Sequence, residues 1–394
     1  MEYSYLDVGD GTVLIGNTRF HTIWLRENCL CEICRDKYSM QKRNNLLNIE
    51  VPIKINSIEA KDDILKIVWK ETKNHTSIYP ISYLMEMQYE DANLNDNKWD
   101  INLGEPNYWE NSSLEKTKNT KFNIEECNEL EWIKQLYIYG FVVLTASSRS
   151  YLINYLEKIS PIYETEYGKI HFSKALPSTD IPDISLSTEP LDMHADSTFR
   201  VTPPLVQFLY CVKNDATGGE SIVVDAFKVA KDIQSENLEI FNILSTVSVD
   251  FLQLNTKKKY LFSRRTPLIK LDNQKNIVEV FCSNKNISWS LPYNNMEHFY
   301  KAYKYFISKL ESDHYQHYFR LLEKECLLTL NYRVFHGRRG FSLHSGQRHL
   351  DVWYMPWDYL AARVRYQQYK SRYEFFIGKR QDVDRVSQDA IILT

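Results

Sequence analysis

Two residues near the middle of the chain have the types and the spacing of metal ligands. His194 and Asp196 lie in the segment 191–196, which reads LDMHAD. Residues i and i+2 of a strand point to the same face, so the imidazole and the carboxylate would converge. They would supply two thirds of the two-histidine, one-carboxylate set that holds non-haem Fe(II) and leaves coordination positions open. Because a lone His-x-Asp pair is common by chance, the hypothesis needs a second histidine and an anchor for a co-substrate.

The C-terminal third of the chain offers the second histidine. His336 lies in the segment 331–338 (NYRVFHGR), where an apolar run predicts a strand and Gly337 lets the backbone turn at a crowded centre. His349 precedes another apolar run and is the rival, whereas His344 lies in a polar loop. The residues alone favour His336 over His349 as the third iron ligand.

An arginine that follows His336 could anchor the co-substrate. Arg348 stands in the segment 347–354 (QRHLDVWY), which predicts a strand. A guanidinium delivered beside iron can bind a carboxylate through two hydrogen bonds. 2-Oxoglutarate has this need, because its keto acid end chelates iron while its far carboxylate requires a fixed cation. The alternative is that Arg348 is an ordinary surface residue.

Three cysteines near the N-terminus predict a second metal site. Cys29, Cys31 and Cys34 have the spacing C-x-C-x-x-C, so that their thiolates could bind one tetrahedral Zn(II). His75, which follows a predicted strand, is the preferred fourth ligand, and His21 is the nearer alternative. Unliganded clustered thiols would be open to oxidation, which favours metal. Four protein ligands leave no place for water, so the predicted zinc is structural.

The composition excludes several classes of protein. The 394 residues are 43% hydrophobic and 25% charged, an ordinary globular composition with material for two or three domains. The net charge of -3 lacks the basic excess of a nucleic-acid-binding protein. No apolar run approaches a membrane span, and the N-terminus lacks the features of a targeting peptide. We therefore expect a cytoplasmic protein without nucleic-acid or membrane partners.

The predicted elements divide the chain into three parts. Residues 1–95 form a small β-rich domain that carries the cysteines, residues 96–120 a polar linker with an aromatic anchor near Trp109, and residues 121–394 the main domain. The main domain opens with a helix for which Asn123 is the predicted N-cap.

Further elements of the main domain predict its architecture. They are helices over 148–158, 226–245 and 295–309, and strands over 140–144, 204–212 and 221–225. Strand, turn and strand in this order, with helices to one side, favour a mostly β fold with flanking helices (α+β), built as an antiparallel double-sheet barrel.

Several motifs together resemble the gamma-butyrobetaine dioxygenase and trimethyllysine dioxygenase family. They are WLRENC at 24–29, HAD at 194–196, TGGESIVVDAF at 217–227, VFHGR at 334–338 and RHL at 348–350. Each motif is weak alone, but all of them occur in the order of the family, from about residue 10 to residue 370. The family comprises Fe(II)- and 2-oxoglutarate-dependent oxygenases of the wider taurine-dioxygenase-like group.

The resemblance implies a role for each matching residue. The implied sites are iron at His194, Asp196 and His336, 2-oxoglutarate at Arg348, Ser221 and Leu209, and structural zinc at Cys29, Cys31, Cys34 and His75. It also implies a distorted double-stranded β-helix (jelly-roll) behind a small zinc-binding domain, and a homodimer. Dioxygen would be the second co-substrate, and ascorbate would serve as reductant.

The implied reaction is an oxidative decarboxylation. 2-Oxoglutarate would yield succinate and carbon dioxide while an unactivated C–H bond of a second substrate is oxidised. Hydroxylation is the usual outcome, and related enzymes can instead desaturate or close rings. Asp196 preserves the carboxylate ligand that halogenases of this type replace, so halogenation is not expected.

The sequence departs from the family at the residues that bind the substrate's trimethylammonium group. That group is held in an aromatic cage by cation–π contacts. Tyr167 and Tyr354 match two cage positions, but His171 and Leu186 stand where further aromatics are expected. Ser283 replaces part of an Asn-Asn pair. A cage with two walls missing should hold a quaternary ammonium poorly.

Cationic side chains suggest a different substrate. Arg200 and His171 would favour a small amino-acid-derived acid that carries carboxylates, oxidised in a specialised biosynthetic pathway. Alternatively, Phe199 and Trp353 rebuild the cage, and the protein is a gamma-butyrobetaine or trimethyllysine hydroxylase of carnitine biosynthesis. A non-catalytic scaffold or sensor, or a cupin-type hydrolase or isomerase, would have no use for the complete set of ligands with Arg348.

Overall fold

The chain forms two compact units, residues 1–100 with 365–394 and residues 101–364. The structure, a computed structural model, describes residues 5–7, 10–36, 39–71, 75–91, 101–114, 120–174, 186–203, 206–288 and 290–370. Parts of the predicted linker and the predicted C-terminal end of the main domain, 371–394, lie outside these residues. No helix among them has the length and the hydropathy needed to cross a bilayer.

The N-terminal unit is built from short strands and two helices of six residues each. Its elements are β1 (Tyr5–Asp7), β2 (Thr12–Ile15), β3 (Thr18–His21), α1 (Thr22–Glu27), a 3₁₀ turn (Leu46–Asn48), β4 (Ile55–Lys61), β5 (Ile64–Trp69), β6 (His75–Pro80) and α2 (Ile81–Glu86). They form two antiparallel sheets, β1-β2-β3 and β4-β5-β6. Leu65, Ile67 and Trp69 alternate with less buried neighbours along β5 and enter the core of the unit.

The main unit contains the remaining elements. They are α3 (Asn111–Leu114), β7 (Lys121–Asn123), α4 (Glu129–Tyr139), β8 (Phe141–Thr145), α5 (Arg149–Glu157), β9 (His171–Lys174), β10 (Leu191–His194), β11 (Val206–Asn214), β12 (Thr217–Gly218), β13 (Ser221–Asp225), α6 (Ala226–Glu236), α7 (Leu238–Thr246), β14 (Val249–Asn255), β15 (Tyr260–Thr266), β16 (Ile269–Leu271), β17 (Ile277–Val280), β18 (Ile287–Ser288), α8 (Tyr293–Leu310), β19 (His317–Phe319), β20 (Glu325–Leu330), β21 (Val334–Arg338), β22 (Phe341–Ser342), a 3₁₀ turn (Leu343–Ser345) and β23 (Arg348–Met355).

Two sheets face each other in the main unit. One has the strand order β7-β8-β20-β11-β23-β9 and the other β10-β21-β13-β19. All of these neighbours are antiparallel except β7 and β8. Apolar side chains of both sheets share one core, for example Leu209 and Val352 of the larger sheet with Val223 and Val334 of the smaller. These strands therefore use their alternate residues to fill the space between the sheets.

Helices cover the outer faces of both sheets. Phe208 and Tyr210 point away from the inner core and pack in a cluster with residues of α4 and α5. Ile222 and Val224 of the smaller sheet pack in another cluster with residues of α6, α7 and α8. The main unit thus consists mostly of strands with some helices, which agrees with the predicted class of fold.

Two predicted helix boundaries are wrong. Asn123 ends β7, and the helix begins later with Asn128 as N-cap, whose side chain accepts a hydrogen bond from Leu130 N at 2.9 Å. Pairing of β7 with β8 outweighs the local capping pattern at Asn123. The single helix predicted over 226–245 is broken at Asn237, whose side chain caps α7.

Candidate active site

The predicted iron ligands meet between the two sheets. β10 pairs with β21 so that His194 lies opposite His336, and Asp196 follows two residues later. His194 Nε2 is 3.4 Å from Asp196 Oδ1, and His336 Nε2 is 3.8 Å from Asp196 Oδ2. One ligand atom from each residue lies within 4.8 Å of the others. The three side chains can therefore share one metal ion.

The local backbone differs from the strand pattern that predicted this pair. β10 ends at His194, and Asp196 lies in a turn in which Ser197 has a φ of 55°. Opposite, a Cβ on Gly337 would clash with the side chain of Met193. Gly337 thus permits a close approach of β10 to β21, rather than the turn that the sequence suggested.

Polar side chains of the main unit hold Asp196 in place. The side chain of Asn331 makes two hydrogen bonds with the backbone of Asp196. Its Oδ1 accepts from Asp196 N at 2.8 Å, and its Nδ2 donates to Asp196 O at 2.9 Å. Asp196 Oδ2 accepts from the hydroxyl of Tyr354 at 2.7 Å and from the side-chain amide of Gln207. Gln207 Nε2 is also 3.1 Å from His336 Nε2. Such partners orient ligands and are part of a metal site.

The electrostatics favour the protonation states that bind metal. Burial opposes the charge of Asp196, but His336, His194 and the Tyr354 hydroxyl hold the pKa of this carboxyl well below its usual range. Burial, together with His194, lowers the pKa of His336 to about 3. His194 Nδ1 is 2.8 Å from Asp192 O, which directs Nε2 towards the cluster. An ionised carboxylate and neutral imidazoles are what metal binding requires, so these residues fit an iron ion.

The structure separates the two candidates for the third ligand. The side chain of His336 lies on the inward face of β21, as does that of Val334. On β23 the side chain of Arg348 faces the cavity, so that of the next residue, His349, points to the opposite face of the sheet. His349 Nε2 lies 3.3 Å from Asp351 Oδ1 and outside the cluster of ligands. Strand alternation could have decided this from the sequence, because Arg348 and His349 cannot both face the same interior.

A cavity of about 300 Å³ opens beside the three ligands. Arg348, Ser221 and Leu209 contribute to its lining, as expected for the 2-oxoglutarate pocket. Arg348 is 5% exposed, and its Nε donates to Gly219 O at 3.2 Å. Burial lowers its pKa to about 10, a value at which the guanidinium is still charged at neutral pH.

Arg348 has no acidic partner in the part of the chain that the structure describes. A buried cation is costly unless it is paired and hydrogen-bonded. The cavity therefore offers a place for a carboxylate of a ligand, which fits 2-oxoglutarate.

Five of the six predicted substrate residues line the same cavity. They are Tyr167, His171, Phe199, Ser283 and Tyr354. The ring centroid of His171 lies 5.2 Å from that of Tyr167 and 6.1 Å from that of Tyr354. This stack forms a single aromatic wall.

Arg200 does not line the cavity. Its guanidinium forms an ion pair with Glu166 and lies 4.7 Å from the ring centroid of Phe262. The expectation that Arg200 supplies a cation for the substrate is therefore not supported by its surroundings, because Glu166 already neutralises it. Lys285, which the sequence reasoning missed, is a cavity-lining cation.

Gln207 and Asn331 were also missed. Gln207 lies on the same face of β11 as the core residues Leu209 and Cys211. A single amide side chain on a buried apolar face needs a hydrogen-bond partner inside the protein, so its position indicates a polar contact there. Asn331 opens the segment that carries His336, but its partner lies 135 residues away in sequence. Gln207 could have been found from the sequence, whereas Asn331 could not.

The predicted zinc ligands also converge. His75 Nε2 is 3.3 Å from Cys29 Sγ, 3.6 Å from Cys34 Sγ and 3.9 Å from Cys31 Sγ. Tetrahedral zinc with ordinary bond lengths separates its ligand atoms by roughly 3.5 to 3.8 Å. These four residues therefore fit zinc. The alternative ligand His21 instead places Nδ1 3.0 Å from the hydroxyl of Tyr89.

The elements around the cysteines explain this convergence. Helix α1 ends at Glu27, and Cys29 follows its C-cap Asn28. The chain then turns, with Cys34 N donating to Cys31 O at 3.0 Å, and His75 begins β6. Hydrogen bonds from Cys29 and Cys34 hold the pKa of Cys31 well below its usual range, which favours a thiolate. Contacts with Cys31 and Cys34 raise the pKa of His75 to about 9.

Comparisons with known proteins agree with this geometry. The family described as taurine catabolism dioxygenase TauD, TfdA matches residues 111–354, and the gamma-butyrobetaine hydroxylase-like N-terminal family matches residues 12–85. Human gamma-butyrobetaine dioxygenase is 26% identical over 354 residues, 88% of this chain and 90% of the relative. Mouse mitochondrial trimethyllysine dioxygenase is 23% identical over 378 residues, 90% of this chain and 83% of the relative. The predicted resemblance is confirmed.

The solved structures that the chain matches include two oxygenases. PvcB, an Fe, alpha-ketoglutarate dependent oxygenase from an isonitrile synthetic pathway, has a TM-score of 0.44 and 14% identity, covering 59% of this chain and 81% of the other. Asparagine oxygenase has a TM-score of 0.45 and 12% identity, covering 55% and 73%. Since the TauD, TfdA match spans more than half of the sequence, the chain belongs to the TauD, TfdA family and is a 2-oxoglutarate-dependent dioxygenase, an oxidoreductase.

Proposed function

We propose that this dioxygenase oxidises an unactivated C–H bond of a small, carboxylate-bearing, amino-acid-derived substrate, with release of succinate and carbon dioxide. One observation carries the proposal. Three side chains that can share one metal ion border a cavity in which the buried Arg348 has no carboxylate partner among the residues that the structure describes. The outcome at the oxidised carbon is a hydroxylation, a desaturation or a ring closure.

His194, Asp196 and His336 would hold the iron. When bound, Fe(II) with 2-oxoglutarate supplies the activation of dioxygen and the oxidation of the C–H bond. Gln207 and Tyr354 fix the orientation of the Asp196 carboxylate through Oδ2. These two contacts set the position of the carboxylate before any ligand arrives, which limits reorganisation during the reaction.

Arg348 would bind the far carboxylate of 2-oxoglutarate. Its Nε donates a hydrogen bond to the carbonyl of Gly219, so the two Nη groups would donate to the carboxylate. Ser221 and Leu209 would line this part of the cavity, since both share the inward faces of their strands with core residues. Burial strengthens such a pair, because water does not screen it.

The aromatic wall supports a substrate other than a quaternary ammonium. His171 occupies the middle of the stack, and the hydroxyl of Tyr354 is engaged with Asp196. Ser283 adds a polar group on another wall. A cation would meet one aromatic wall rather than an enclosing cage, which gives a weak cation–π interaction.

Hydroxylation of gamma-butyrobetaine or trimethyllysine is the second candidate. The names of the relatives and the tyrosines Tyr167 and Tyr354 favour it. Titration of the metal-loaded protein with each compound separates the two candidates. Micromolar affinity for either would overturn the proposed departure from the betaine substrates, whereas affinity weaker than millimolar would support it.

Cys29, Cys31, Cys34 and His75 would hold a structural zinc in the N-terminal unit. We also propose that the two facing sheets of the main unit form a double-stranded β-helix, and that the domains follow the predicted division at residues 95 and 120. The homodimer, the cytoplasmic location and the use of ascorbate stay predictions.

A measurement of succinate formation tests the proposed function. Succinate formation from 2-oxoglutarate is measured with Fe(II) in the wild type, His336→Ala and Arg348→Ala. We expect iron-dependent succinate in the wild type, even without a second substrate, and a loss in both variants. Absence of succinate with every candidate substrate would favour the non-catalytic scaffold or a cupin-type enzyme. Undiminished succinate formation in Arg348→Ala would show that another group binds 2-oxoglutarate.

A further inference from the structure

The loop 214–219, which leads from β11 towards β13, contacts Arg348 at both of its ends. At the start of the loop, Asn214 lies opposite Arg348 in the pairing of β11 with β23. At the end of the loop, Gly219 O accepts a hydrogen bond from Arg348 Nε at 3.2 Å. The course of this loop therefore helps to set the position of the Arg348 guanidinium.

The end of the loop lies directly against the Arg348 side chain. Gly219 has a φ of 72°, in the left-handed region that glycine adopts readily. A Cβ at this position would lie 3.0 Å from Arg348 Cδ, which is closer than ordinary van der Waals contact. Because packing here is so close, a shift of the loop would move the Arg348 side chain as well.

A second arginine holds the loop from the smaller sheet. Arg320 directly follows β19. Its Nη2 donates to Asn214 O at 2.9 Å and to Ala216 O at 2.6 Å. Its Nη1 donates to Gly218 O at 3.2 Å. A guanidinium is planar and presents its donors in fixed directions, so these three bonds constrain the curvature of the loop.

Other backbone contacts fix the two halves of the loop separately. Asp215 N donates to Gln347 O at 3.0 Å, which ties the first half to β23. Gly219 N donates to Gly340 O at 3.1 Å, which ties the second half to the chain before β22. Arg320 instead joins the start, the middle and the end of the loop through one side chain.

The charge of Arg320 does not itself favour the charged form of Arg348. Burial lowers the pKa of Arg348, and the positive charge of Arg320 adds to this effect because like charges repel. Arg320 is absent from the lining of the cavity in the described part of the chain. The contacts thus favour an effect of Arg320 through the backbone of the loop.

We infer that Arg320 is a positioning residue, which holds the loop 214–219 so that Arg348 presents its guanidinium to the far carboxylate of 2-oxoglutarate. This inference rests on the proposed function, because Arg320 acts through the role proposed for Arg348. Removing Arg320 should weaken the hold on the far carboxylate and leave chelation of the metal by the keto acid end unchanged.

The test is anaerobic calorimetry on the full chain loaded with Fe(II). The dissociation constant of 2-oxoglutarate is measured in wild type, Arg320→Met, Arg348→Met and the double variant. 2-Oxobutyrate, which keeps the keto acid end and lacks the far carboxylate, is titrated in parallel. Arg320→Lys keeps the charge but cannot present a planar set of donors. The matched control is Arg265→Met, since exposed Arg265 also donates to a backbone carbonyl, Ser290 O at 3.3 Å.

We expect Arg320→Met to bind 2-oxoglutarate roughly tenfold more weakly than wild type, as for one lost charge-assisted hydrogen bond, and Arg320→Lys at least about threefold more weakly. Arg265→Met should match wild type. In the Arg348→Met background, removal of Arg320 should change the constant less than about twofold, because the residue through which it acts is gone. The constant for 2-oxobutyrate should stay within about twofold of wild type in every variant.

Four results would overturn the inference. Unchanged affinity for 2-oxoglutarate in Arg320→Met would show that the loop does not need this side chain. An equal loss in both backgrounds, or an equal loss for 2-oxobutyrate, would indicate general damage to the site. Wild-type affinity in Arg320→Lys beside a loss in Arg320→Met would assign the effect to charge. A failure of the proposed function is distinct, because Arg348→Met itself would then bind 2-oxoglutarate as wild type does.

Discussion

The two candidate metal clusters of the molecule differ in how they are assembled. The cysteine cluster offers four ligand residues, three of them within six residues, which would fill a tetrahedral site. The proposed iron cluster offers three ligand residues from two segments more than a hundred residues apart, and a cavity lies beside it. A closed site stabilises a fold, whereas an open one leaves room for chemistry. The number of protein ligands and the presence of an adjacent cavity thus distinguish a structural metal site from a catalytic one.

The largest expected effect concerns the open cluster. His336→Ala should lower succinate formation by about 1000-fold or more and weaken Fe(II) binding, because a ligand of the iron is lost. The matched control is His349→Ala, which should stay within about threefold of wild type. Metal content and succinate are measured together. Loss of iron in His349→Ala but not in His336→Ala would show that the other histidine is the ligand.

The closed cluster should respond in stability rather than in chemistry. Cys34→Ala removes a buried ligand and should lower the melting temperature of the N-terminal unit by about 10 °C or more, on a loss of roughly 3 kcal/mol. Cys127→Ala, a half-buried thiol of the main unit, is the control. Calorimetric unfolding with measured zinc content checks this. Full zinc and unchanged melting in Cys34→Ala would contradict a structural zinc at this cluster.

The cavity beside the proposed iron cluster should bind the co-substrate through Arg348. Arg348→Met should raise the Michaelis constant for the co-substrate, 2-oxoglutarate, by roughly 100-fold, and Arg348→Lys by roughly tenfold, since lysine cannot bind bidentately. Arg363→Met, which breaks an exposed pair with Glu129, is the control. Steady-state kinetics at saturating Fe(II) measure the effect. If the Michaelis constant for 2-oxoglutarate is equal in the wild type and all three variants, a residue other than Arg348 binds its carboxylate.

The two clusters should also respond differently to pH. Zinc must displace protons from Cys29, whose pKa is raised by its neighbouring thiols, and from His75, whose pKa is about 9. His336 has a pKa of about 3, so it is already neutral at pH 5.5. Lowering the pH from about 7 to about 5.5 should therefore weaken zinc binding more steeply than iron binding. Chelator competition at both pH values checks this, and an equal or steeper loss of iron would contradict it.

The smallest effect sharpens the role of one tyrosine. Tyr354→Phe removes the hydrogen bond to Asp196 and should weaken iron binding about fivefold, for a loss of about 1 kcal/mol. Tyr167→Phe, in the same aromatic wall, is the matched control. Competition titration of the metal gives both affinities. If iron affinity is equal in Tyr354→Phe and wild type, the hydroxyl acts on the substrate rather than on the carboxylate.

Sequence reasoning was most successful where the relevant contacts are short-range. Cys29, Cys31 and Cys34 are neighbours in the chain, so their convergence follows from spacing alone. His336 was predicted as the third ligand because it lies in an apolar run that forms a strand. The alternation of side chains along a strand would have excluded His349. The family itself was predicted from motifs and is confirmed.

Contacts between distant segments could not be predicted. The ion pair of Arg200 with Glu166 depends on a loop that folds back, so local sequence does not reveal that the cation is already paired. Asn331 likewise meets Asp196 only in the folded chain. Lys285 looks like an ordinary surface lysine until the turn 283–286 is seen against the cavity. Specificity is therefore harder to predict than metal binding, because it depends on loops.

X-ray absorption at the zinc and iron edges of the fully loaded protein tests the central claim most directly. We predict zinc with three sulfur ligands and one nitrogen, unchanged when 2-oxoglutarate is added. We predict iron with nitrogen and oxygen ligands only, whose spectrum changes on addition of 2-oxoglutarate in the wild type but much less in Arg348→Met. Sulfur bound to iron, or a response to 2-oxoglutarate at zinc instead of iron, would contradict the account.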